Sequence, residues 1–149
     1  MSFDLPRMRL ALAFSLCAAT AAQADHRFEG RELAAGAKLY AEYCANCHGT
    51  VLEGQPDWRS PGPDGTYPAP PHDESGHTWH HATGVLLDYT LKGGQAALAT
   101  RGVTGFRSGM PAFGEVLSEA DALDILAFIR SSWPERAKTA QRLQSHPEG

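Results

Sequence analysis

Cysteine is scarce: three residues in a chain of 149. That is too few for a disulfide scaffold of this length. There is no excess of basic charge either. Lys and Arg total 13 against 17 Asp and Glu, a formal charge of -4, where a nucleic-acid binder normally carries a basic surplus. No apolar run approaches the ~20 residues that span a bilayer, and no alternating pattern of useful length points to a β-strand. What the chain has in quantity is turn-forming residues, 15 Gly and 10 Pro. With 42% hydrophobic residues it is not a disordered chain. The expectation is one small, loop-rich, mostly helical domain with a thin core.

The N-terminus has the three parts of a secretory signal peptide: basic Arg7 and Arg9, an uncharged run from Leu10 to Ala22, and an Ala22-Gln23-Ala24 end. We expect residues 1–24 to be a cleaved signal and the rest to be exported, in a bacterium to the periplasm, without stable membrane insertion. Cys17 lies in the discarded run, and its preceding residues, Phe14 and Leu16 among them, do not form a lipid-attachment signal. Cleavage leaves Cys44 and Cys47, and a formal charge of -5.

In the remainder, Leu33, Gly36, Ala37, Tyr40 and Cys44 share one helical face, so a helix is expected over Arg31 to Cys44. A Gly on that face costs ~1 kcal/mol relative to Ala and suggests a second helix passing close by. Residues 49–78 are too rich in Pro and Gly for regular structure. A short helix is expected over Gly84 to Lys92, capped by Thr83 or Gly84 and ended by Gly93-Gly94. Gln95 to Gly114 reads as loop. Ser118 and Asp121 form a variant capping box for a helix running to Trp133. Its apolar stripe is Ala122, Ile125, Leu126, Ile129 and Trp133, and Pro134 stops it. A domain over 25–134 is expected, followed by a polar tail over 135–149 with frayed structure. Three short helices would bury too little surface to hold such loops, and a large prosthetic group would supply the missing core.

Cys44-Ala45-Asn46-Cys47-His48 is the motif that carries chemistry. Cys-x-x-Cys-His is a haem-attachment pattern. Two thiols at this spacing add to the two vinyl groups of one haem, and the following His supplies an axial nitrogen to the iron. A zinc site borrowing two of His72, His77, His80 and His81, or a plain Cys44–Cys47 disulfide, stays open as an alternative; a thioredoxin-like pair would open a helix, whereas this motif closes one. Met110, the one methionine after the signal, stands in Ser108-Gly109-Met110-Pro111-Ala112-Phe113. The flanking Gly and Pro suit a loop that presents a thioether as the sixth ligand.

These segments resemble class I c-type cytochromes of the small bacterial monohaem kind, over about residues 31–134. The matching stretches are Gly36-Ala37-Lys38-Leu39-Tyr40 with the attachment site, Gly109-Met110-Pro111-Ala112-Phe113, and Asp124-Ile125-Leu126-Ala127-Phe128-Ile129. The resemblance implies an all-α cytochrome c fold: three or more short helices and long loops wrapped around one covalently attached haem c. It implies that Gly36 and Tyr40 cross the last helix against Ile125, Phe128 or Ile129. It also implies that a loop proline carbonyl, best matched by Pro70, accepts a hydrogen bond from the His48 ring, with His72 standing where the family has Leu.

The expected function is electron transfer between Fe(III) and Fe(II) with His48 and Met110 as axial ligands. On this reading the chain is a carrier rather than an enzyme, a monomer that meets redox protein partners and no nucleic acid. His77, His80 and His81 form the densest part of a histidine cluster. They read either as a solvated loop with Trp79 on the haem edge, or as a second metal site for copper or zinc, the mark of a metal-handling protein. A histidine in place of Met110 at the iron, or an open distal site in a haem enzyme, are further alternatives. Trp58, Arg59, Trp79, Arg101 and Arg107 are candidate partners for the haem propionates.

Overall fold

The computed structural model describes residues 26–145. The signal-peptide reading over 1–24 lies outside the described residues. After a 3-10 turn at His26–Phe28, the helices are α1 (Leu33–Tyr43), α2 (Ala45–His48), α3 (Thr83–Lys92), α4 (Gly94–Ala99), α5 (Glu119–Ser131) and α6 (Glu135–Ser145). A second 3-10 turn spans Thr78–His80, and two-residue strands β1 (Thr66–Tyr67) and β2 (Arg107–Ser108) pair in parallel. The architecture is the all-α one that the sequence suggests.

The frame is the crossing of α1 and α5, the most extensive contact between elements. Gly36 makes it possible. A Cβ at that position would lie 2.0 Å from the Asp124 carbonyl oxygen and 3.1 Å from the Phe128 Cβ. The helix Gly is therefore placed where two backbones touch. Beside it the Tyr40 and Phe128 rings sit 5.5 Å apart, and the Tyr40 hydroxyl donates to the Gly49 carbonyl at 2.8 Å. Burial raises the Tyr40 pKa, so that hydroxyl stays a donor. The α5 start is the capping box: Ser118 Oγ accepts from the Asp121 N–H at 3.2 Å, and Asp121 Oδ2 accepts from the Ser118 N–H at 2.9 Å. Ala122, Ile125, Leu126, Ile129 and Trp133 are all buried, as their spacing predicts.

Three expectations are corrected. Residues 135–145 are helical rather than frayed. Pro134 ends α5 and also begins α6, accepting from the Ala137 and Lys138 N–H groups at 2.9 and 3.2 Å. A proline suits the first turn of a helix because the N–H it lacks would have no partner there. Second, the N-terminus of α3 is served from α6 rather than by Thr83 or Gly84. Ser145 Oγ accepts from the Thr83 N–H at 3.0 Å, and the fully buried Gln141 donates to Thr83 Oγ1 at 2.9 Å. Third, the segment from Gln95 to Gly114 contains most of α4 and all of β2. Gln-Ala-Ala-Leu-Ala has high helix propensity, but one and a half turns give too short a periodicity to detect.

The long loop after α2 is tied by backbone hydrogen bonds. Gly54 N–H donates to the His48 carbonyl at 2.7 Å, Gln55 to Ala69 at 2.9 Å and His72 to Leu52 at 2.8 Å. Trp133 Nε1, from beyond the end of α5, donates to the His72 carbonyl at 2.7 Å. No described helix is long and apolar enough to cross a membrane.

Candidate functional site

The Cys-x-x-Cys-His motif falls where α1 gives way to α2. Cys44 N–H still donates to the Tyr40 carbonyl, and Cys44 O accepts from both Cys47 and His48. This tight turn leaves Cys44 half-buried, Cys47 exposed and His48 buried. No disulfide joins Cys44 and Cys47, so the plain-disulfide alternative is not the arrangement found. Burial, then the neighbouring Cys47, pushes the Cys44 thiol up to about 11.

His48 Nδ1 lies 2.9 Å from the Pro70 carbonyl oxygen. A carbonyl only accepts, so Nδ1 carries the proton and Nε2 holds a free lone pair. Burial lowers the His48 pKa against the opposing effect of that hydrogen bond, which keeps the ring neutral and able to act as a ligand. No hydrogen bond engages Nε2 among the described residues, and His48 lines a cavity of about 740 Å³, within the usual ~300–1,000 Å³ of a cofactor site. The same cavity is lined by Cys44, Cys47 and Met110, and by apolar side chains such as Leu86, Phe113 and Ile129. Two thiols, a neutral imidazole and a thioether thus face one largely apolar space, a donor set that fits a covalently held haem.

Met110 is brought to the cavity by the glycine pair that follows α3. Gly94 N–H donates to the Met110 carbonyl at 3.0 Å. A Cβ on Gly94 would lie 2.0 Å from Ser108 Oγ and 3.3 Å from the Met110 Cβ, and one on Gly93 would lie 2.9 Å from the Ala112 nitrogen. Read from sequence, the pair only ends a helix. In the fold it also lets the methionine loop lie flat against the α3–α4 junction.

Residues 31–129, about two-thirds of the chain, match the model of the family described as cytochrome C oxidase, cbb3-type, subunit III. The chain belongs to this family. It is a c-type cytochrome domain, a haem electron-transfer protein with one covalently bound haem c. Neither a curated protein nor a solved structure matches it significantly.

Two further sets of residues singled out in the sequence are placed relative to the cytochrome's cavity. The histidines divide. His72, His77 and His81 line the cavity and His80 does not. The His72 ring stacks on His48 with centroids 4.0 Å apart and 21° between planes. His77 stacks on Trp58 and meets His81 edge-on, while His80 lies against Trp79. Burial lowers the pKa of His72 strongly and of His77 and His81 less, so these rings are largely neutral at pH 7. Among the described residues no group of three or more His, Cys, Asp or Glu could hold a metal ion. The structure therefore does not bring His77, His80 and His81 together as a metal site.

The candidate propionate partners stand outside the cavity wall, though Trp58 stacks on His77, which lines it. Trp58, Arg59, Trp79, Arg101 and Arg107 are all absent from the cavity wall. Arg59 sits over the Trp58 ring, Arg101 pairs with Asp88 at 2.8 Å and Arg107 donates to the Asp64 carbonyl at 2.9 Å. Trp79 donates to the Glu74 carbonyl and packs against the core rather than on the cavity. The polar groups that do reach the space include Gln55, Tyr67 and Tyr89. Tyr67 of β1 and Phe106, just before β2, stack at 4.2 Å on its wall. No periodicity announces them, because the two strands are only two residues long.

Proposed function

We propose that the protein is an exported, periplasmic electron carrier in which Cys44 and Cys47 hold the haem through thioether bonds and His48 and Met110 are its axial ligands. The observation that carries this reading is the His48 ring: neutral, held at Nδ1 by Pro70, and lining the cavity that Met110 also lines. When bound, the haem supplies an iron centre that takes up and gives up one electron. The protein's own groups do the rest. The Pro70 carbonyl holds the His48 Nδ1 proton, which fixes the tautomer and makes Nε2 the ligating atom. The Met110 loop presents a soft thioether, and the apolar wall excludes water; both favour the reduced state. Because His48 and Met110 would both hold the iron, the chain itself would leave no ligand position for a substrate, which favours a carrier over an enzyme. The family's description favours one further reading, in which the chain delivers electrons as a subunit of a terminal oxidase complex rather than as a free monomer; co-purification with a membrane oxidase distinguishes the two.

The test is the oxidised spectrum of the haem-loaded protein. Wild type should show the sulfur-to-iron charge-transfer band, and Met110→Ala should lose it and bind added imidazole. An unchanged spectrum in Met110→Ala removes Met110 from the iron.

A further inference from the structure

We propose that His72 is a positioning residue that sets the plane of the His48 imidazole. The inference rests on the reading of His48 as the proximal ligand and goes beyond it. The hydrogen bond from Nδ1 to the Pro70 carbonyl holds one edge of the His48 ring. One such contact at the ring's rim resists rotation of the imidazole about its Cβ–Cγ bond from one point only, and it is that rotation which turns the ring plane. The face of His72, stacked at 4.0 Å and 21°, blocks that motion.

His72 can act as a stop because it is itself held on several sides. Its Nδ1 lies 2.8 Å from Oγ1 of buried Thr78. Its backbone N–H donates to Leu52 and its carbonyl accepts from Trp133 Nε1. The Tyr40 ring meets it edge-on with centroids 6.3 Å apart. These partners come from α1, the long loop, the 3-10 turn at Thr78–His80 and the α5–α6 junction. The plane of His48 is thereby tied to the C-terminal part of the fold through two side chains. An aliphatic residue at position 72 could fill the space, but it would offer no flat face and no partner for Thr78.

The plane of an axial imidazole governs how unpaired spin spreads over an oxidised low-spin haem. The pattern of the four haem-methyl resonances in the paramagnetic proton NMR spectrum reads it directly. His72→Leu should change the order or spread of those resonances in the folded, haem-loaded protein, and His72→Phe, which keeps a flat face but loses the bond to Thr78, should shift them only part of the way. Thr78→Val, which frees the edge of His72, should shift the pattern part of the way, and it decides the matter if His72→Leu does not accumulate. A wild-type pattern in His72→Leu overturns the proposal, as do equal shifts in the Leu and Phe variants or no shift in Thr78→Val. Failure of the underlying reading looks different: the wild type itself would lack a low-spin, His-ligated spectrum, and both claims would fall.

Discussion

Gly36→Ala tests whether the α1–α5 crossing is the frame of the fold. The new Cβ would stand 2.0 Å from a backbone oxygen and 2.6 Å from a backbone carbon of Asp124. Neither atom can swing aside as a side chain would. The helices must part by roughly 1–1.5 Å at that point to restore ordinary contact. Parting them loosens the Tyr40–Phe128 ring pair and the 3.5 Å contact between Arg31 and Asp124. Overpacking costs ~1–3 kcal/mol, and with backbone as the obstacle the upper end applies. Ala regains ~1 kcal/mol of helix propensity. The net expectation is about 2 kcal/mol of destabilisation, a fall of roughly 6–10 °C in Tm for a domain of this size. Gly84→Ala is the internal control, because a Cβ there meets nothing within 4 Å; it should be neutral or stabilising by ~0.4–1 kcal/mol. Thermal unfolding of both variants, followed by circular dichroism at equal haem loading, gives the comparison. If Gly36→Ala behaves like Gly84→Ala, the close-approach account of Gly36 is wrong.

Trp133→Phe keeps the ring but removes the donor to the His72 carbonyl. It should cost about 1–2 kcal/mol in denaturant titration, and an unchanged midpoint would show that the bond contributes nothing. The hydroxyl and N–H of Ser118 hold the Asp121 carboxyl below its ordinary value. Its contribution to stability is thus present above the unfolded value of 3.8 and is lost as pH falls through the depressed one. Asp121→Asn should therefore be less stable than wild type at pH 7, with the gap closing in that acid window; a gap independent of pH would contradict the cause given. The acidic balance of the chain, -5 beyond residue 24, predicts that electron exchange with a basic redox partner slows as salt is raised. A rate independent of ionic strength would argue against charge steering.

The parts of the molecule readable in advance are those encoded by local pattern. Ser118 and Asp121 announce the start of α5, five apolar residues announce its buried face, and the costly Gly36 announces a crossing. The family resemblance adds Pro70 as the partner of His48, and the loop does bring them together. The parts that were not legible depend on distant segments. Helix α6 is mostly polar, and what orders it, besides buried Ala137, is Gln141 and Ser145 reaching the start of α3, a contact no local window contains. Gly93-Gly94 punctuates a helix in sequence but serves Met110 in space. The histidine cluster was legible as a cluster, and its use was not. Three of its rings turn to the cavity and one turns away, a division fixed by where the Thr78–His80 turn packs.

The central claim is that Cys44 and Cys47 together fasten one haem to the chain. Mass spectrometry of the denatured protein, produced in a host with a c-type maturation system, tests it most directly. The account predicts the mass of the chain plus one haem, reduced to a single, weaker attachment or none in Cys44→Ala and in Cys47→Ala, and to none in the double variant. Haem that leaves the denatured wild-type chain, or remains on the double variant, would contradict it.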